Sequence, residues 1–197
     1  DFAVTDTFSI TPYFVWNTAD SPNLPAGALR EVGLRSGGFD SYYIGADIEW
    51  KLDTVGIWGT AVYNGGTVDD INPQINGVSL PQTDADISGY LFAVGADAGL
   101  VHGQFFYASG DDDAKDGDLD GFQSAPGQSY YWSEIMGLGI FDNRASSNAP
   151  GNKISNVYAI NAGVTFVPMD KMKLVGDVWY ASLAEDNVFG DSDLGLE

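Results

Sequence analysis

Cysteine is absent, histidine occurs once, and basic residues are scarce: 8 Lys and Arg stand against 28 Asp and Glu in 197 residues, giving a net charge of −20. Each deficit closes off a class of function. Without cysteine there is no thiol nucleophile and no thiolate metal site, and a fold without disulfides is compatible with an exported chain. A lone His102 allows no multi-histidine metal site and, with no partner visible in the sequence, reads as an ordinary polar turn residue. A large surplus of carboxylates repels phosphate backbones, so no nucleic acid is expected as a partner. No Gly-x-Ser-x-Gly elbow is present to activate one of the many serines. Long apolar runs are missing too, and the longest uncharged stretch, Ile87 to Ala96, is interrupted by Gly89 and Gly95, so a spanning helix of roughly 20 residues is excluded. The opening Asp1-Phe2-Ala3-Val4 has neither the basic region nor the apolar core of a signal peptide, which fits a mature protein or a fragment.

Hydrophobic residues make up 44% and aromatics 13%, far more than an acidic disordered chain carries, so the chain is expected to fold. Its length suits one all-β domain, and residues 1–197 are treated as a single unit.

Alternation with a period of two is the dominant pattern. Tyr42, Ile44, Ala46, Ile48, Trp50 and Leu52 fall on one side of a strand whose other side is Tyr43, Gly45, Asp47, Glu49 and Lys51. Similar alternation places strands at Thr7 to Asn17, Ser41 to Leu52, Val55 to Asn64, Ile87 to Leu100, Val101 to Gly110, Ile154 to Val167 and Met172 to Ala184, with the start of an eighth at Asp193. Pro12 is out of place inside the first of these unless it lies at an edge or bulge. The connections alternate between tight turns, such as Asp53-Thr54, and long polar loops at Thr18–Asp40, in a second stretch that holds the turn dipeptides Gly65-Gly66, Asn72-Pro73 and Asn76-Gly77 with Pro81, and from Asp111 to about Lys153.

Two folds accommodate such strands. A soluble sandwich buries the apolar side and wets the charged one. An antiparallel transmembrane β-barrel, a meander of hairpins, does the reverse: apolar side chains meet lipid, Tyr and Trp sit at the headgroups, and polar side chains line the lumen. A strand tilted across the hydrocarbon layer needs about 9–11 residues, and most of these segments run longer than the soluble mode of about 5 or 6; with short turns at one end and long loops at the other they favour the barrel.

The chain resembles the porin-like outer-membrane β-barrels of Gram-negative bacteria along nearly its whole length. The likeness is densest in the hairpin Val157 to Ala184, where Met169-Asp170-Lys171-Met172-Lys173-Leu174 and then Asp177-Val178-Trp179-Tyr180-Ala181 look like a periplasmic turn leading into an ascending strand. The resemblance implies a transport protein whose surroundings are the lipid bilayer and lipopolysaccharide, which passes small hydrophilic solutes or ions and forms a homo-oligomer in some members. The chain departs from the family in having no C-terminal strand that ends on an aromatic residue, so it is expected to be an incomplete piece of a longer barrel.

On this reading the channel is lined by Asp47, Glu49, Lys51, Asn161, Thr165, Lys173 and Asp177, a slightly acidic set expected to give a weak preference for cations. Catalysis is not expected, because the paired acids Asp47/Glu49 and Asp84/Asp86 are each spaced to share one face of a strand, as a lining would be. One further motif, Asp116-x-Asp118-x-Asp120-Gly121, matches the opening of a calcium loop, but the twelfth position is Gly127 where a bidentate Glu would close it. Glu134 and Asp142 can complete that site only if the long loop folds back. The aromatics Tyr130-Tyr131-Trp132 and the run Ile135 to Phe141 need cover, either by packing the loop into the barrel mouth or at an intersubunit contact. The alternatives are a closed eight-stranded structural or adhesive barrel without a pore, and a soluble acidic β-sheet or lipocalin-like binding protein.

Overall fold

Long two-residue periodicity produces long strands, and the computed structural model, which describes residues 2–19, 38–71, 74–75, 78–79, 83–112, 118–124, 154–185 and 193–196, is all-β over those residues. The strands are β1 (Phe2–Thr5), β2 (Phe8–Ala19), β3 (Gly38–Leu52), β4 (Val55–Ile71), β5 (Gln74–Ile75), β6 (Val78–Ser79), β7 (Thr83–Ala98), β8 (Val101–Ala108), β9 (Asp118–Leu119), β10 (Val157–Met169), β11 (Met172–Ser182) and β12 (Asp193–Leu196). They form an antiparallel meander in the order β1-β2-β3-β4-β7-β8-β10-β11-β12, with β9 added in parallel to β7 and β5–β6 as a separate ribbon. The sheet is open: among the described residues no ladder joins β1 to β12.

Four two-residue turns, Asp6-Thr7, Asp53-Thr54, Gly99-Leu100 and Asp170-Lys171, all fall at one end of the sheet. Asp53, Gly99 and Lys171 take positive φ there, the backbone twist that two-residue hairpins require. The long connections leave from the opposite end.

The strand ends differ from the sequence expectation in instructive ways. Gly65-Gly66 reads as a turn, yet β4 runs through it to Ile71 and pairs with β3 as far as Asp69↔Gly38. Gly66 has φ +147, and a side chain there would strike the Asp40 carbonyl, so these glycines mark a close approach of two strands. β1, absent from the sequence reading, is a short strand that meets β2 only at Phe8–Ile10. Pro12 therefore sits in β2 where a ladder exists on one side alone, opposite Ala46 of β3.

Register assigns every strand residue to a face. On one side lie Phe8, Ile10, Phe14 and Trp16, then the even positions of β3 and β7 and the odd positions of β4 and β8, continuing through Tyr158, Ile160, Val164 and Phe166 to Leu174, Val178 and Tyr180. This outer face is apolar and nevertheless exposed: Phe14 is 64%, Ile44 53%, Ile160 53% and Val178 61% accessible. The opposite, inner face carries the core. Leu91, Ala93, Phe106, Ala108, Val157, Ala159, Trp179 and Ala181 cluster there with Phe122 and Ile154, which arrive from the third long connection.

Candidate functional site

Cross-strand pairing stacks the inner face into rows. One row reads Thr11, Asp47, Thr60, Ala93, Phe106, Ala159, Ala181; the next, nearer the tight turns, reads Ser9, Glu49, Trp58, Gly95, Gln104, Asn161, Trp179; and the next Lys51, Gly56, Asp97, His102, Gly163, Asp177. Across these three rows the side chains become more polar towards the tight turns. All the residues expected to line a channel, Asp47, Glu49, Lys51, Asn161, Thr165, Lys173 and Asp177, have the inner parity. They fall into two groups. Asp47, Glu49 and Lys51 belong to β3, whereas Asn161, Thr165, Lys173 and Asp177 belong to β10 and β11, with three strands between.

The second group holds a network that the sequence did not reveal. His102 Nε2 lies 2.8 Å from Asp177 Oδ1, and the same oxygen accepts a hydrogen bond from Asn161 Nδ2 at 2.9 Å. His102 thus hydrogen-bonds Asp177 across the sheet and is not only the ordinary polar turn residue the sequence suggests. Gly163 makes this possible: it sits between His102 and Asp177 in the row, and a Cβ on it would collide with both side chains. The missing signal was register, because 75 residues separate the partners. The pair Asp84/Asp86 also departs from expectation. Both have outer parity on β7, so they share no face with Asp47 and Glu49 and cannot line the same interior.

Asp47 and Glu49 of the first group, but not Lys51, border a cavity of about 720 Å3 over β2, β3 and β4, within the range of small-molecule sites. Its lining includes Tyr13, Asn17, Tyr43, Asp47, Glu49, Trp58 and Thr60, and its far wall is made by Leu91, Phe122 and Ile154. The Tyr13 ring lies over Gly45 and the Trp58 indole over Gly95, since an added Cβ at either glycine would run into the ring. Tyr13 reaches across β3 to hydrogen-bond Thr60 and lies close to Asp47. Asn17 Nδ2 is enclosed and has no hydrogen-bond partner among the described residues.

The wall exists because the third long connection folds onto the inner face. Ser109 organises it: its N–H donates to the Tyr90 carbonyl at 2.9 Å, its hydroxyl donates to the Asp120 carbonyl at 2.7 Å and accepts from Tyr90 N–H at 3.0 Å, and its own carbonyl accepts from Phe122 and Asn156. The Phe122 backbone then rests on Gly89, where a Cβ would stand 2.6 Å from Phe122 Cα. Phe122 is 5% and Ile154 2% exposed. The expected plug aromatics at 130–141 lie outside the described residues, as do Asp116, Glu134 and Asp142 of the calcium motif. Asp118 and Asp120 are described: Asp118 opposes Asp86 in the β7–β9 ladder, and no group of three metal-ligating side chains occurs among the described residues.

On the outer face, aromatic residues form a band near the loop end, one from each of seven successive strands: Trp16, Tyr42, Tyr63, Tyr90, Tyr107, Tyr158 and Tyr180. Tyr42 meets Tyr63, Tyr90 stacks on Tyr107 and Tyr158 meets Tyr180, with centroids 6.1, 5.7 and 6.3 Å apart. Towards the turns, Phe8 packs edge-on against Trp50. The chain matches no protein-family model and no curated protein sequence.

Proposed function

We propose that this chain forms the wall of an outer-membrane β-barrel that acts as a porin, a passive diffusion channel for small hydrophilic solutes with a weak preference for cations. The inversion of polarity across the sheet carries this reading. Side chains such as Phe14, Trp16, Ile160 and Val178 stand exposed on the outer face, while Asp47, Glu49, Asp97, His102 and Asp177 stand on the inner one. Water penalises so broad an apolar surface, whereas a hydrocarbon layer accepts it. The dimensions support the same surroundings. From Tyr42 to Trp50 the outer face of β3 spans about 9 residues between aromatic ends, the length a tilted strand needs to cross a bilayer. Headgroup-level Tyr and Trp, lipopolysaccharide contact at the long-loop end and tight periplasmic turns follow from that placement.

Transport needs no chemistry, only a polar path whose width and charge select the solute. Asp47, Glu49, Asp97 and Asp177 outweigh Lys51 and Lys173 along the inner face, which favours cations. A second reading, a barrel that conducts nothing, draws on one observation: Phe122, Ile154 and Trp179 fill the inner face of β7, β8, β10 and β11 with apolar packing. Insertion of the purified full-length protein into planar bilayers separates the two. Stepwise conductance with a reversal potential of cationic sign in a KCl gradient supports the channel, and an absence of steps supports the closed barrel.

A further inference from the structure

We propose that the cavity over β2, β3 and β4 is a binding subsite for organic cations, amines or quaternary ammonium ions carrying apolar substituents, held between the rings of Tyr13 and Trp58 and the carboxylates of Asp47 and Glu49. The proposal deepens the channel reading and rests on it for the route by which solute reaches the cavity.

Three features converge on this ligand class. The rings occupy glycine positions: with no side chain at Gly45 or Gly95, Tyr13 and Trp58 lie over bare backbone and line the cavity. An exposed aromatic face is an electronegative surface that attracts a cation and also accepts alkyl groups. The carboxylates stand beside these rings, Glu49 directly opposite Trp58 and Asp47 opposite Thr60, at the Cβ separations of about 5 Å that cross-strand pairs share. Charge in the cavity is unbalanced. Among the described residues its lining contains two acids and no Lys, Arg or His, and neither Asp47 nor Glu49 is in an ion pair.

A neutral sugar would also use aromatic platforms, but it leaves two carboxylates without a counter-charge. A bare metal ion satisfies the carboxylates and gains little from apolar walls such as Val62 and Leu91. An alkylated ammonium ion answers both demands. Its volume suits a cavity of about 720 Å3, and its weak hydration makes desolvation on entry inexpensive compared with that of sodium.

The test is titration calorimetry of the full-length protein in detergent micelles with tetraethylammonium, with glucose and sodium chloride as comparison titrants. Single-channel recording runs in parallel. Saturable tetraethylammonium binding is expected, weakened roughly tenfold by Trp58→Leu, largely retained in Trp58→Phe, and weakened roughly tenfold by Asp47→Asn with Glu49→Gln. Should Trp58→Leu lose its β-sheet circular dichroism, the carboxylate double variant decides. Binding of glucose in preference to the cation, competition by sodium at equal concentration, or tetraethylammonium binding unchanged in the variants would overturn the subsite. Conductance without tetraethylammonium binding leaves the channel and removes the subsite; binding without conductance leaves the subsite and removes the channel.

Discussion

Trp58 of β4 covers Gly95 of β7, its register partner, and the two residues behave as one unit of the inner face. The indole takes the space a side chain at 95 would occupy, and the glycine gains the cover that a bare strand position lacks. Tyr13 over Gly45 repeats the arrangement one hairpin away.

Gly95→Ala should therefore displace the indole. We expect a loss of about 1–3 kcal/mol in urea unfolding from lipid vesicles, the usual cost of overpacking, together with a shift in tryptophan emission. An unchanged unfolding midpoint would mean that the ring does not rest on Gly95.

Gly89 supports backbone rather than a ring. Gly89→Val should lift Phe122 and the segment around it from the inner face, which opens the cavity wall. Larger single-channel conductance and faster proteolysis between β8 and β10 are the expected results. Equal conductance would show that this segment does not restrict the path.

The turn-end network gives a third expectation. Asn161 is buried and donates to Asp177, so Asn161→Ala should cost about 1 kcal/mol. The His102–Asp177 pair is partly open to solvent, with side chains 27% and 32% exposed, and a double-mutant cycle should give a coupling of about 0.5 kcal/mol that shrinks in high salt. No coupling at low salt would contradict the contact.

Cation preference should depend on the inner carboxylates. Asp47→Asn combined with Glu49→Gln is expected to move the reversal potential in a KCl gradient towards zero. Neutralising Asp84 and Asp86, on the outer side of β7, should move it less.

Much of the sheet was legible because its signal is local. Alternation located β2, β3, β4, β7, β8, β10 and β11, and the parity of Ile44, Asp47 or Asn161 follows from counting in twos. Strand ends were less legible where glycine has two meanings: Gly65-Gly66 looks like a turn and is a close strand contact. The site was less legible still. His102 finds Asp177, and Phe122 finds Gly89, only through a register set by the hairpins between them. Trp58 could have been placed, since the two-residue turn Asp53-Thr54 carries the inner parity of Lys51 to Gly56 and on to Trp58. The cavity wall had no such signal, because nothing in the long polar connection marks Phe122 as a residue that turns inward, and Ile154, which reads as the first residue of a strand, lies just ahead of β10.

The orientation of the two faces is the central claim, and spin labels test it most directly. Labels at Ile44, Ile160 and Val178 in the bilayer-reconstituted protein should be relaxed by oxygen and shielded from a water-soluble nickel complex. Labels at Asp47, Glu49 and Asn161 should show the opposite preference. Outer-face labels open to the nickel complex and protected from oxygen would contradict a lipid-facing surface and return the chain to the soluble β-sheet class.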